Sequence, residues 1–308
     1  MNIQQLEYIV AVDQHRHFAR AAKHCGVSQP TLSMMIQKLE EELGVEIFDR
    51  SRTPVGVNKI GEMIITQARV VLYNIKQFRE IADSSRESVQ GDLEMSIIPT
   101  VAPYLLPKLF SEFRRRLPSL RCKVSEMKTS VIIEKLKSAE IELAILATPL
   151  SDPDILEVPL YYERFLAYIS PSDELYKSEY VNAADIDYSR MWILEEGHCF
   201  RDQILNICHR NLNTYQQYEA GSIETLINVV DENGGFTIFP ELHLPMLSPE
   251  QQKNVRPFSG DEPRREISLV FRMDFVKEKL LNTIVSAIKS IIPQNMLDSR
   301  LSKMRVKL

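Results

Sequence analysis

A chain of 308 residues, 44% apolar and 26% charged, is long enough for at least two domains and a full hydrophobic core. No apolar run approaches the roughly 20 residues of a membrane span, and the opening MNIQQLEYIV lacks the blocks of a signal peptide, so the expected location is the cytoplasm, where thiols stay reduced. A net charge of −5 argues against a nucleic-acid binder if the chain is taken as a whole, but the basic residues are unevenly spread.

Gln14 to Leu39 carries Arg16, Arg20, Lys23 and Lys38 without an acid, and Arg50 to Lys59 carries Arg50, Arg52 and Lys59, again without one. The acids lie between, from Glu40 to Asp49. Such segregation is the footprint of a local phosphate-binding face. Asn2 and Gln5 have capping-box spacing and open a helix with Leu6, Ile9 and Val10 at helical period. A short second helix carries Phe18, Ala21 and Ala22 and stops at Cys25-Gly26. Ser28 caps a third helix, with Pro30 in its first turn, where a missing N–H costs nothing. Leu32, Ile36, Leu39 and Leu43 form its buried stripe and Gly44 ends it, which leaves Gln29, Thr31, Ser33, Met34, Gln37 and Lys38 outward. Short helix, glycine turn and polar-faced helix are helix-turn-helix construction, although the outward face alone is also that of any solvated helix.

VEIFDRSRTPVGVNKIG predicts a small wing hairpin. A long helix follows from Ile60 to about Ser85, with an apolar seam of Ile64, Ala68, Val71, Leu72, Ile75, Phe78 and Ala82. Such a helix buries its seam against a second copy, so self-association is expected. Residues 84–91 (SSRESVQG) read as a hinge. Strands are then predicted at Leu93–Ile98, Arg121–Met127, Leu143–Leu146, Phe165–Ile169, Met191–Leu194, Tyr215–Glu219, Gly235–Phe239 and Ile267–Phe271. Helices are predicted from Thr100 to Arg115, over Ser130–Ser138, near Ile223–Glu232 and over Phe275–Ile292. This alternation predicts α/β units around a parallel sheet. The chain is expected to leave one sheet for another near Tyr162 and return near Glu266, giving two lobes and a crevice. The expected domains are 1–59 (winged helix-turn-helix), 60–90 (linker helix and hinge) and 91–308 (effector domain), with lobe I about 91–162 and 267–308 and lobe II about 163–266.

Of four cysteines, Cys25 in the helix-turn-helix core and Cys122 on the strand face of Leu120 and Val124 read as inert small hydrophobes. EEGHCFRDQILNICHR sets Cys199 and Cys208 with a histidine beside each. The residues alone leave this pair inert, redox-active or zinc-binding. Adjacent His-Cys pairs do not readily chelate one ion and CxxC spacing is missing, so neither metal nor cofactor is expected. That missing motif, with no thioredoxin-type βαβ, also counts against a thiol-dependent enzyme.

FARAAKHCGVSQPTLSMMIQKLEEELGVEIFDR resembles the DNA-binding domain of LysR-type transcriptional regulators, and the α/β part resembles their periplasmic-binding-protein-like effector domain. IIPTVAPYLLP, EMKTS, GHCFRDQ with Cys208, and EPRREISLVFR are similar to the peroxide-sensing members of that family. Two departures concern DNA more than sensing: VNKIGE stands where the family has a Thr and an Ala-Gly, and HRH precedes Phe18 in place of Gly-Ser. The implied fold is an all-α winged helix-turn-helix followed by a two-lobed α/β effector domain. The implied function is that of an activator of oxidative-stress defence genes, with no enzymatic role. Its implied partners are double-stranded DNA at dyad-related half-sites, RNA polymerase, further copies in a homodimer or homotetramer, and hydrogen peroxide.

Within that resemblance, Gln29 contacts adenine, and Thr31 or Ser33 meets a base edge, in a helix start that includes Ser28 and Pro30. Arg16, Arg20, Lys38, Arg50, Arg52 and Lys59 bind phosphates. Cys199 is implied as the peroxidatic thiol, favoured as thiolate beside His198 and Arg201 with Asp202 restraining the arginine, and Cys208 as the resolving thiol. Thr100, Thr129 and His198 are implied to orient peroxide. Kept helical, the two sulfurs lie roughly 13 Å apart along the axis, whereas a disulfide needs Cα atoms within about 7 Å. Helix and bond therefore exclude each other, and forming the bond pulls loose the apolar stripe of Phe200, Ile204 and Ile207. Cytosolic glutathione or glutaredoxin is the expected reductant. The alternative is a regulator of the same family that responds to a small anionic metabolite in the crevice, its cysteines inert.

Overall fold

The computed structural model describes residues 1–83, 90–150, 152–183, 186–194, 222–260 and 262–297. The chain divides into two compact units, one of residues 1–87 with 135–140 and 274–276, the other of 88–134, 141–273 and 277–308.

In the first unit, α1 (Ile3–His15) opens on the expected capping box, Gln5 N donating to Asn2 Oδ1 at 3.0 Å and Asn2 N to Gln5 Oε1 at 2.9 Å. α2 (Phe18–His24) and α3 (Gln29–Leu43) follow, and α3 stops at Gly44 in the left-handed region (φ 68°), which glycine enters without a steric penalty. Leu32, Ile36 and Leu39 are buried with Ile9, Val12, Ala21 and Ala22. Leu43, expected in the same stripe, is 41% exposed, since it lies at the last residue of α3, past the end of the core. The wing is a minimal antiparallel pair, β1 (Phe48–Asp49) against β2 (Gly56–Val57).

α4 runs from Lys59 to Asp83. Its expected single seam is divided between two faces. Ile65 and Ala68, with Ile64 and Leu72, pack into the helix-turn-helix core, whereas Val71 and Phe78 lie with Ile60, Met63 and Ile81 on an uncovered face. Phe78 is 76% exposed. The linker helix thus serves its own domain on one side and offers an apolar stripe on the other.

In the second unit, β3 (Gly91–Ile97) is parallel to both β4 (Leu120–Glu126) and β5 (Leu143–Thr148). Gly91, expected in the hinge, is the first residue of β3. α5 (Ala102–Arg116) follows β3 and α6 (Thr129–Lys137) follows β4. The rest of the sheet corrects the parallel expectation. β6 (Ile155–Ile169) is one strand of 15 residues, and it runs antiparallel to β9 (Arg264–Arg272), to β7 (Phe236–Pro240) and to β8 (Val255–Pro257). β9 is also antiparallel to β5, which gives the order β4-β3-β5-β9-β6-β7 with β8 on β6. Tyr162 and Glu266 are register partners, and beyond the pair Arg164–Arg264 the strand β6 leaves β9 for β7 and β8. The predicted strand Phe165–Ile169 is thus the end of β6, and Met191 makes only an isolated bridge to Phe236. Tyr215–Glu219 lies outside the described residues. The remaining α-helices among the described residues are α7 (Ile223–Asn233), the single turn α8 (Pro249–Gln252) and α9 (Glu278–Ile291). Arg116 joins α5 to α9 through Ser286 and Ser290 at 2.8 and 2.9 Å.

Two consequences for stability follow from buried contacts. A Cβ at Gly61 would meet the Ile47 carbonyl oxygen at 2.3 Å. Gly61→Ala gains about 0.5–1 kcal/mol of helix preference, but the backbone clash of about 1–3 kcal/mol outweighs it. Calorimetry should therefore show the first unit melting earlier. His243 is buried, its Nδ1 has no hydrogen-bond partner among the described residues, and burial lowers its pKa. The unfolded chain then protonates first as pH falls through about 6.5, so stability is lost below that pH. Denaturant titrations at pH 7 and pH 5 should show a loss that shrinks in His243→Gln.

Candidate functional site

The recognition surface is assembled by α3 and the wing. Ser28 Oγ accepts from Thr31 N at 3.3 Å and lies 2.8 Å from Thr31 Oγ1, so both hydroxyls are engaged in the helix cap. Gln29, Pro30, Thr31, Met34, Gln37 and Lys38 are exposed, and Ser33 is half-buried. Gln29 and Pro30 stand in the first turn of α3, where the positive end of the helix dipole adds to a basic surface.

The six expected phosphate contacts are of two kinds. Arg20, Lys38 and Lys59 are exposed and have no ion pair among the described residues. Arg16, Arg50 and Arg52 are held within the domain. Arg16 occupies the left-handed position after α1 (φ 47°), pairs with Asp13 at 2.8 Å, and its carbonyl accepts from Val55 N at 3.1 Å. Arg52 pairs with Asp49 at 2.8 Å. Arg50 reaches Glu40 at 2.7 Å and stacks over the Phe18 ring at 5.2 Å. Glu40 in turn accepts from Ile47 N and Phe48 N at 2.8 and 3.2 Å, so it anchors the wing to α3. The departure VNKIGE has a local explanation: Asn58 Oδ1 accepts from Gly61 N at 2.7 Å and caps α4.

In the second unit the parallel strands β3 and β4 end at the register pair Ile97–Glu126, so the turns that follow them leave the sheet side by side. Thr100 stands in the first turn and Thr129 opens α6, both at the carboxyl end of the parallel strands, the edge where α/β folds place ligands. Both are buried, and Thr129 Oγ1 has no hydrogen-bond partner among the described residues. Thr100 Oγ1 accepts from Arg265 Nη1 at 2.9 Å, and the Thr100 carbonyl accepts from Nη2 at 3.3 Å. Arg265 is 1% exposed. Its Nε lies 2.8 Å and its Nη2 2.7 Å from Glu163 Oε1, which also accepts from Tyr104 at 2.9 Å. Tyr104 and Tyr161 hydroxyls are 2.7 Å apart, and burial holds both well above the usual phenol range.

Arg265, Glu163 and Tyr104 were not singled out from the sequence. The available signal was a charged residue in the slot of β9 that shares a face with Ile267, Leu269 and Phe271. His198, Cys199, Arg201, Asp202 and Cys208 lie outside the described residues. The other two cysteines are free thiols. Burial raises both, Cys122 to about 11, and Glu7 adds to the effect at Cys25.

Residues 3–62 match the bacterial regulatory helix-turn-helix protein family, lysR type, and residues 86–290 match the LysR substrate binding domain. Over 276 residues the chain is 38% identical to the DNA-binding transcriptional dual regulator OxyR of Escherichia coli K12, covering 88% of this chain and 90% of that one. The hydrogen peroxide-inducible genes activator of Haemophilus influenzae is 34% identical over 299 residues, covering 95% and 99%. Among solved structures, a full-length OxyR variant from Pseudomonas aeruginosa superposes with a TM-score of 0.81 at 32% identity, covering 94% of this chain and 95% of that one. Reduced OxyR from Porphyromonas gingivalis gives 0.62 at 36% identity over 68% of this chain and 97% of that one. A winged helix-turn-helix joined to this α/β unit, matched along nearly its full length, makes the chain a member of the LysR family of bacterial regulators, in the group formed by the OxyR proteins.

Proposed function

We propose that the chain is a transcriptional regulator that senses hydrogen peroxide through a reversible Cys199–Cys208 disulfide and turns on oxidative-stress defence genes. The observation that carries this reading is the likeness, over nearly the whole chain, to a protein named hydrogen peroxide-inducible genes activator. The buried hydroxyls of Thr100 and Thr129 at one sheet edge support it, because a peroxide needs donors for the oxygen it loses.

In this mechanism the Cys199 thiolate attacks one peroxide oxygen and the O–O bond breaks. The sulfur becomes a sulfenic acid, and the other oxygen leaves as hydroxide, taking a proton to become water. Thr100, Thr129 and His198 donate to that departing oxygen. The Cys208 thiol then displaces water from the sulfenic acid and closes the disulfide. Two glutathione thiols, directly or through glutaredoxin, return both cysteines to the reduced state and are themselves oxidised to one disulfide. His198, next to Cys199 in sequence, and Arg201, restrained by Asp202, favour the thiolate. Because a helix and a disulfide exclude each other over 199–208, oxidation exchanges one local fold for another. Residues 91–308 form the effector domain that carries this change, with lobe I about 91–162 and 267–308 and lobe II about 163–266. The helix of 60–90 passes it to residues 1–59 through a homodimer or homotetramer built on the uncovered Ile60, Met63, Val71, Phe78 and Ile81 stripe.

Gln29 reads a base edge with Thr31 and Ser33, and the basic residues hold phosphates of two dyad-related half-sites. RNA polymerase is the partner at the promoter, and the cytoplasm the location. Among the described residues no helix is long and apolar enough to cross a membrane.

Mass mapping of thiols before and after micromolar peroxide tests the sensing step. Cys199 and Cys208 should disappear together as one disulfide, and Cys199→Ser should remain unmodified at Cys208. Cys122, at about 11, should survive and alkylate readily only above pH 10. Loss of Cys122 before Cys199, or DNA footprints that ignore peroxide and follow a metabolite, would remove the reading. On the DNA side, Lys38→Ala should weaken binding similarly across operators and reduce the slope of log affinity against log salt by about 1. Arg50→Ala should instead lower the melting temperature, because its guanidinium is engaged with Glu40 and Phe18.

A further inference from the structure

Among the described residues Arg265 is one of the largest fully buried side chains, and its hydrogen bonds have a direction. A guanidinium only donates, whereas a hydroxyl has one proton and two lone pairs. With Arg265 Nη1 at 2.9 Å occupying a lone pair of Thr100 Oγ1, the threonine proton cannot point back at the arginine. No acceptor for it stands among the described residues. Thr100 is therefore presented as a donor to whatever approaches, and the bond from Nη2 to its carbonyl pins the main chain of the same turn.

Arg265 is oriented in turn from behind. Glu163 Oε1 takes Nε and Nη2, which leaves Nη1 for Thr100. Tyr104 donates its proton to the same oxygen, so Tyr161 must donate to Tyr104. The relay runs Tyr161, Tyr104, Glu163, Arg265, Thr100. It links β6, the first turn of α5 and the start of β9, and it closes on Thr100, two residues before α5.

The geometry points to Glu163 and Tyr104 as positioning residues for the peroxide reaction: through Arg265 they fix the Thr100 hydroxyl as a preorganised donor to the oxygen that leaves. This rests on the peroxide-sensing reading above and assigns a role to residues that do not themselves touch the oxidant. A donor fixed before the reaction helps only where negative charge develops, at the departing oxygen, and not in a displacement whose leaving group sits elsewhere.

The test uses the full-length reduced chain with Tyr104→Phe, which removes one oxygen, and Glu163→Gln, which keeps the shape and removes the charge. Two rates are measured at Cys199: oxidation by hydrogen peroxide and alkylation by iodoacetamide. Both variants should slow oxidation by about tenfold and leave alkylation within about twofold of the parent. Thr100→Val should slow oxidation alike, and adding Tyr104→Phe to it should cost nothing more, because the two act as one unit. Should Glu163→Gln fail to fold, Tyr104→Phe carries the comparison. Unchanged oxidation in Tyr104→Phe, an equal loss of alkylation, or a full further loss in the Thr100→Val background would overturn the assignment. A parent Cys199 inert to peroxide would instead sink the sensing reading, and this inference with it.

Discussion

A positive charge with almost no access to water is the constraint around which the effector unit is arranged. Arg265 is 1% exposed, and its partner Glu163 is fully buried. Removing one member of such a pair strands the other and costs about 3–5 kcal/mol, so both must be held in place. They are register partners on β9 and β6, one pair before the antiparallel ladder ends and β6 continues against β7 and β8. The final pair sets Arg164 opposite Arg264, an arrangement that alone would push the strands apart. Glu262 receives both arginines and Glu241 receives Arg164, so the charges balance where the strand changes partners. The same few residues thus secure the crossing strands and the turn that carries Thr100.

The DNA-binding unit solves a related problem with acids. A net negative chain that binds a polyanion needs its carboxylates either distant or engaged. Glu40, Asp13 and Asp49 are engaged: each is paired with an arginine, and Glu40 also accepts two wing amides. These pairs still meet solvent, the side chains of Arg16, Arg50 and Arg52 being 46%, 39% and 76% exposed. Arg20, Lys38 and Lys59 have no ion pair among the described residues. Each of the two basic stretches of the sequence thus holds both paired and unpaired cations.

What could be read from the sequence was what is local. The capping box of Asn2 and Gln5, the Ser28 cap, Gly44 and the wing are decided within a few residues, and the structure has them where expected. The long-range choices were not readable. Nothing near residues 264–272 announces that this strand runs against β5 and β6, partners at least 100 residues away. The register shift between Pro159 and Tyr161 hides the continuity of β6, so its last third looks like a strand of its own. In α4 two apolar faces overlap in one periodic pattern, and only the packing of Ile65 and Ala68 separates the inward face from the stripe around Phe78. Arg265 was missed because a charge in a mostly apolar strand reads as a solvated face until its partners are seen. The cysteine pair lies outside the described residues, so its reading still rests on sequence and likeness.

A sensor must also keep its other thiols quiet, and here the scaffold contributes through solvation. Only the thiolate attacks peroxide, so reactivity follows the fraction ionised. Burial takes Cys122 to about 11, which leaves on the order of one thiol in ten thousand ionised at neutral pH. Cys25 is raised by burial and again by Glu7. Cys122 stands between Arg121 and Lys123 in sequence, but on β4 these point to the opposite face and pair with Asp92 and Glu94, so burial decides its shift. Cys199 has His198 and Arg201 close by in sequence. The hydroxyls at the end of the parallel strands would then add a second filter. A thiolate elsewhere on the chain could attack peroxide but would find no preorganised donor for the oxygen it expels. Selectivity in such a protein is the product of two local conditions, charge at the sulfur and a fixed proton at the leaving group, and only one position in the chain need satisfy both.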